Sequence, residues 1–382
     1  MNRRLFLLAA LPLSAFACNR SKPEVEPEKP KTPAKLSAAD LKKYKPNEAG
    51  AIPVIMYHRF VASEKVNYLN RPPAMFRKDL EQMHALGYWP VNAWDVVANK
   101  MDVPAGKSPI VLTFDDALPS QFSTIMKNGE DKIDPDCAIG IMETFQKTSG
   151  WPARGTFFVL PKAGKNAEPF GQSEGVSSKF EYLVSKGYEV ASHTATHDNM
   201  RGMSVAQVQN ELALAVREVK KINKGAQMQT LAIPFGKPPR NAAAEKALAE
   251  GESGGTSYRN KAVFLAAWRP VASPLTKQSL RQDGVAAFNP IKLERITPGK
   301  GGKLEPGTLE YWLDWFKKNP GARYVSDGNP RVASIPQSAK ETVDSARVAK
   351  SGVTPHFYDL NASSSGASGG SDVKSGGGLS VN

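Results

Sequence analysis

The sequence predicts an α/β fold whose parallel strands curl into a distorted (β/α) barrel, and three observations carry that reading. Short β-branched runs alternate with amphipathic stretches through residues 51–325, the pattern of repeated strand–helix–strand units. Six strand candidates spread over that length suit a barrel-like arrangement better than a small open sheet. Polar, chemistry-bearing residues fall directly behind strand candidates, where parallel α/β folds keep their sites.

The elements follow in order. Residues 1–18 open with Arg3-Arg4 and run through an apolar stretch to Ala15-Phe16-Ala17-Cys18. Charged start, short apolar region and small-residue cleavage site read as an export signal, too short to span a membrane. Cys18 stands in a lipoprotein-like box and is the expected lipid attachment point, with simple cleavage after Ala17 as the alternative. The Arg-Arg pair also resembles the twin-arginine export pattern. Residues 19–50 are rich in Lys, Glu and Pro and read as a solvated linker. Strands are expected at Ile52–Tyr57, Ile110–Phe114, Gly155–Leu160, Tyr188–Ser192, Gln229–Pro234 and Ala262–Ala267. Helices are expected at Met75–Leu86, Ala138–Lys147, Ser178–Lys186, Ser204–Ile222, Ala242–Glu250 and Thr308–Lys318. In the last, Leu309, Trp312, Leu313 and Phe316 share a face, which reads as core. Residues 326–382 are polar and end in a Gly/Ser-dominated stretch, read as a largely disordered tail.

Composition narrows the function. The 382 residues are 41% hydrophobic and 23% charged, enough to bury a core. A net charge of +13 suits an anionic surface or nucleic acid, but no nucleic-acid recognition motif or aromatic-interleaved basic stretch is present. Two cysteines build no disulfide framework, and Cys137 stands alone once Cys18 is lipidated or removed.

The reactive residues sit at strand ends. Ile110–Phe114 runs into Asp115-Asp116, two like charges that are costly to hold side by side. A metal relieves the cost by taking one carboxylate as ligand and leaving the other as base; a loop-capping Asp pair is the alternative. Tyr188–Ser192 runs into His193 and His197, a spacing that chelates, and only five histidines exist in the chain. Thr194 follows His193, so this is not the His-Glu protease helix. One carboxylate with two imidazoles leaves open positions, as catalytic rather than structural zinc does, although other divalent metals fit the mixed donors. His58 ends the first strand candidate and is placed on the same rim. Pro234-Phe235-Gly236 is a turn able to present a backbone N–H and an aromatic face.

As an ordered set, Thr113-Phe-Asp-Asp116, His193-Thr-x-x-His197 and Ala232-Ile-Pro-Phe-Gly236, with Pro53–His58 ahead of them, resemble the polysaccharide deacetylases of the NodB-homology type, carbohydrate esterase family four. The resemblance covers about Ile52 to Ile296. It implies a distorted (β/α) barrel of seven to eight strands, with Asp115 as general base. It further implies Asp116, His193 and His197 as ligands of a divalent metal, most readily Zn2+, and Phe235 as donor of an oxyanion-binding N–H. Two departures stand out: Ala232 occupies a position where many members carry an Arg that orients the base, and the usual late Leu-x-His motif is missing. His58 is therefore the expected acid or leaving-group positioner. Pro234, Trp268, Arg269 and Arg295 are expected to bind substrate.

These readings combine into a monomeric, exported, metal-dependent hydrolase that removes N-acetyl groups from N-acetylglucosamine-containing envelope or extracellular polysaccharide. It would be periplasmic, outer-membrane-anchored or extracellular, touching membrane only through an anchor at Cys18. An O-acetyl esterase needs no strong acid and is the first alternative; a silent glycan-binding module is the second.

Overall fold

The computed structural model describes residues 34–162, 168–171, 175–277, 284–301 and 304–360. The expected export signal (residues 1–18, with Cys18), expected linker residues 19–33 and tail residues 361–382 lie outside the described residues.

One all-parallel sheet dominates: β1 (Val54–Tyr57), β2 (Tyr88–Val91), β3 (Ser108–Asp115), β4 (Thr156–Val159), β5 (Glu189–Ser192), β6 (Thr230–Ala232) and β7 (Ala262–Phe264). Six strands run in the order β7-β6-β5-β4-β3-β1, and β2 pairs with the N-terminal half of β3. Every residue of β3 is buried, as expected of a parallel strand covered on both faces. All six strand candidates are present, with Gly155–Leu160, Gln229–Pro234 and Ala262–Ala267 shortened at their C-terminal ends. The sequence predicts no strand at β2, because Pro90 demotes Tyr-Trp-Pro-Val as a strand signal.

The sheet's edges are bridged by Leu293–Ile296. On one side Leu293 N–H donates to Val263 O (2.9 Å) and Leu265 N–H to Leu293 O (2.7 Å). On the other, Ile296 N–H donates to Val54 O and Met56 N–H to Ile296 O, both 2.7 Å. Four residues thus join the two edge strands and curl the sheet into a distorted barrel.

Outer helices close the core. Val205–Ile222 starts with a Ser204/Gln207 capping box and buries Val208, Leu212, Ala215, Val216 and Val219, one face at helical spacing. Leu309–Lys318 is capped by Thr308 and buries Leu309, Trp312, Leu313 and Phe316, the predicted apolar face. Inside, Phe114 and Phe157 stack at 4.6 Å between ring centres.

The ends of the expected domain require correction. Residues 34–50, expected as linker, include the helix Ala38–Tyr44, capped by Ser37, and a buried stretch Pro46–Gly50. Residues 326–360, expected as disordered tail, hold parallel strands β8 (Val332–Pro336) and β9 (Thr354–Tyr358) with the helix Ser345–Ser351 between them. Ala49, Leu275, Ala333, Ile335, Val343 and Val348 form a second core there. Its apolar side chains are few and scattered along the chain, so burial comes only from partners distant in sequence.

Candidate metal centre and catalytic pocket

The site forms at the C-terminal ends of β1, β3, β5, β6 and β7. At the end of β3, Asp115 remains in the strand and is almost fully buried, while Asp116 turns out of it at φ 77°. The two adjacent carboxylates thereby part and enter different environments.

Asp116 faces the histidine pair. Its Oδ1 lies 3.3 Å from His193 Nε2 and 3.4 Å from His197 Nε2. The three side chains are the one group among the described residues whose donor atoms converge as a metal site would require. The geometry suits a cation. Separations near 3.3 Å are those between corners of a tetrahedron with arms of about 2.0–2.1 Å. Asp116 Oδ1 is buried without a hydrogen-bond partner among the described residues, costly unless a ligand completes it. His193 Nδ1 lies 2.8 Å from Ala232 O; donation there fixes the tautomer and turns the Nε2 lone pair inward. Burial disfavours an imidazolium at His193, yet Asp115 and Asp116 push its pKa above the ordinary value, so the local field favours positive charge.

The loop between the histidines is held from another element. Glu211, on the helix Val205–Ile222, accepts from Ala195 N–H (2.9 Å), Thr196 N–H (2.6 Å) and Thr196 Oγ1 (2.9 Å). His197 N–H donates to Thr194 Oγ1 at 3.2 Å. Sequence reasoning missed Glu211, which reads as one more charge on an amphipathic helix.

Asp115 is gripped by Arg295. Arg295 Nη1 donates to Asp115 Oδ1 at 2.6 Å and Nη2 to Oδ2 at 2.8 Å, a bidentate fork. Nε donates to Leu265 O at 3.0 Å, and the guanidinium lies over the Phe158 ring. Burial alone would raise the Asp115 carboxyl, but Arg295, His193 and His58 hold it well below the usual carboxylate range. The expected place of Arg295 in the substrate groove is corrected. It is 1% exposed and grips Asp115 from the barrel-closing segment instead of lining a groove.

His58, at the end of β1, points at the same carboxylate, with Nε2 3.8 Å from Asp115 Oδ2. Burial lowers its pKa more than Asp115 and Asp116 raise it. Gln121 Nε2 donates to His58 O at 2.8 Å and also to Asp115 O, tying the two strand ends together.

Phe235 stands on the opposite side, its ring 4.8 Å from that of His197. The turn's internal bonds are donated by Gly236 and Lys237. Gly236 is required: its φ is 62°, and a Cβ there would lie 2.6 Å from Ala266 N. Pro234, expected to touch substrate, is buried and shapes the turn. Trp268 is 45% exposed, its ring against Tyr68 at 5.8 Å, and remains available at the rim. Arg269 is half exposed and held by Glu294.

Positive φ values concentrate here in non-glycine residues: Asp116, Ala117, Thr194, His197, Phe235 and Trp268. Each costs on the order of 1–3 kcal/mol, and such strain collects where side chains must be aimed.

Residues 102–250 match the family model described as polysaccharide deacetylase. This segment is a polysaccharide deacetylase domain. It contains Asp115, Asp116, His193, His197 and Phe235, whereas His58, Trp268 and Arg295 come from outside the match. Solved structures with similarity include deacetylase PplD of Streptococcus pyogenes in complex with acetate, 17% identical over 69% of this chain and 98% of that one, with a TM-score of 0.46. IcaB of Ammonifex degensii is 17% identical over 70% and 97%, TM-score 0.45. A polysaccharide deacetylase of Bacillus cereus is 19% identical over 64% of each chain, TM-score 0.43, so under two thirds of that protein is spanned.

Proposed function

We propose that this protein hydrolyses N-acetyl groups from N-acetylglucosamine units of an envelope or extracellular polysaccharide, using a divalent metal, Zn2+ by preference. The observation that carries the reading is the pairing of a convergent Asp-His-His donor set with a separate, arginine-gripped carboxylate beside it. Held by Asp116, His193 and His197, the metal would supply Lewis-acid polarisation of the acetyl carbonyl and a lowered pKa for water.

The chain's own groups supply the rest. Asp115, kept ionised by Arg295, accepts the proton of the attacking water. The Phe235 N–H is the donor offered to the developing oxyanion. His58 stands beside Asp115, takes up the proton that Asp115 accepted and passes it to the leaving nitrogen, which cannot depart as an amide anion. The export signal and Cys18 would put this activity at the cell envelope.

Acetate release from peptidoglycan, chitin oligomers and acetylated xylan tests the proposal. Asp115→Asn is expected to lower kcat by about 10²–10⁴ while retaining metal. Release from xylan alone would favour the O-acetyl esterase, and no Asp115-dependent release from any of the three would overturn both readings. Chelation is expected to abolish release and added Zn2+ to restore it.

A further inference from the structure

Three cations stand on the two loops that carry His197 and Phe235. Arg201 lies in the turn Met200–Gly202 shortly after His197, Lys237 directly follows the Pro-Phe-Gly turn, and Arg240 comes just beyond. The loops are clipped together, Arg240 N–H donating to Arg201 O at 3.1 Å. All three side chains are exposed, and none makes an ion pair among the described residues. Some exposed cations elsewhere do have a partner: Arg77 has Asp136, Arg259 has Glu250, and Lys292 has Glu245. Across 197–202 and 234–240 the one carboxylate is Asp198, whose charge bears on His197.

We propose that these loops bind a negatively charged substituent of the polysaccharide, so that the substrate is an anionic glycan bearing carboxylate or phosphate near the acetamido group. This rests on the deacetylase reading above and specifies its substrate class. The contact between the Phe235 and His197 rings sets the basic loops against one edge of the metal site. Two arginines offer planar forks that match either anion, and Lys237 adds a point charge. Exposed cations that touch no reacting atom act on capture, so the effect belongs in KM and in its salt dependence.

The test compares four probes: the neutral N-acetylglucosamine tetramer, peptide-free peptidoglycan strands with their lactyl carboxylates, the same strands amidated, and a 6-phosphorylated tetramer. An anionic probe is expected to exceed the neutral tetramer in kcat/KM by about tenfold or more at low salt, with the advantage fading as salt screens it. Amidation should erase a carboxylate advantage, so the probe that gains tells carboxylate from phosphate. The triple variant Arg201→Gln, Lys237→Gln, Arg240→Gln should lose the advantage through KM, leaving kcat unchanged. Equal loss on neutral and charged probes, or no preference for either anion, overturns the proposal. Binding of the anionic probes to Asp115→Asn protein separates the two readings. Salt-sensitive binding that the triple substitution removes supports the basic loops even if wild type releases no acetate, an outcome that would sink the deacetylase reading alone. Absent binding sinks the loops' role.

Discussion

At the scale of residues, the decisive arrangement is two neighbouring carboxylates sent into different surroundings. Asp115 is turned into a buried arginine fork, and Asp116 is swung by a positive φ toward two imidazoles. Removing one partner of the buried pair leaves the other's charge uncompensated. Arg295→Met is therefore expected to cost about 3–5 kcal/mol of stability, read by urea unfolding, together with a loss of kcat. Unchanged stability would show that Asp115 does not need the fork. His58 offers a separate test that uses the leaving group. An amide nitrogen must be protonated to leave, whereas an ester oxygen leaves without strong acid. His58→Gln is expected to lower N-deacetylation by about 10²-fold or more and to affect hydrolysis of an activated acetate ester far less. Equal losses on both would assign His58 a structural role.

At the scale of elements, strand ends deliver the candidate metal ligands and other elements hold them still. Glu211 reaches from the helix Val205–Ile222 to two backbone N–H groups of the His193–His197 loop, so helix packing and ligand geometry are coupled. Outer partners of this kind typically change metal affinity by about 10–100-fold when removed. Glu211→Ala is expected to weaken Zn2+ binding by that factor in a competitive chelator titration. Glu211→Gln, which keeps an acceptor oxygen, should recover part of it. The other rim is held by Arg71, whose guanidinium bonds Asp79, Glu310 and the carbonyl of Gly299 (3.0 Å). Tyr57, the residue before His58, donates to the same Asp79 at 3.0 Å. Strand β1 and the loop at Gly299 are thus tied through one buried ion pair.

At the scale of the whole molecule, the described ends of the chain fold together at the N-terminal ends of the strands, opposite the site. The ties between them are specific: Tyr358 OH donates to Pro46 O at 2.7 Å, and Asn329 Nδ2 to Ala34 O at 2.7 Å. A buried acid marks this junction. Glu48 accepts from Asp327 N–H at 3.0 Å, and burial first, then the charge of Asp327, pushes its carboxyl well above the ordinary value. The folded chain therefore holds this proton more tightly than the unfolded chain. Stability from this group is full below the unfolded pKa of 4.5 and is lost as pH rises through the higher folded value. Glu48→Gln, which keeps the acceptor and cannot ionise, is expected to melt increasingly above wild type as pH rises from 4.5. Parallel melting curves across that range would remove Glu48 as the source.

Short-range pattern is what the bare chain encodes. Runs of β-branched residues mark the strands, and parallel strands present chemistry at their C-terminal ends. Asp115, Asp116, His193, His197 and Phe235 are therefore legible as one site from the sequence alone. Tertiary structure decided the rest. Arg295 meets Asp115 across 180 positions, and in Leu-Glu-Arg-Ile nothing local distinguishes a groove cation from a buried one. Only the closure of the sheet by Leu293–Ile296 turns that side chain inward. Glu211 and the folded ends follow the same logic: Glu48 and Asp327, 279 positions apart, like Ala49 and Ile335, are ordinary residues until distant segments bury them together. A contact made at long sequence separation leaves no periodicity or spacing behind, because its energy depends on a neighbour that the local chain does not contain.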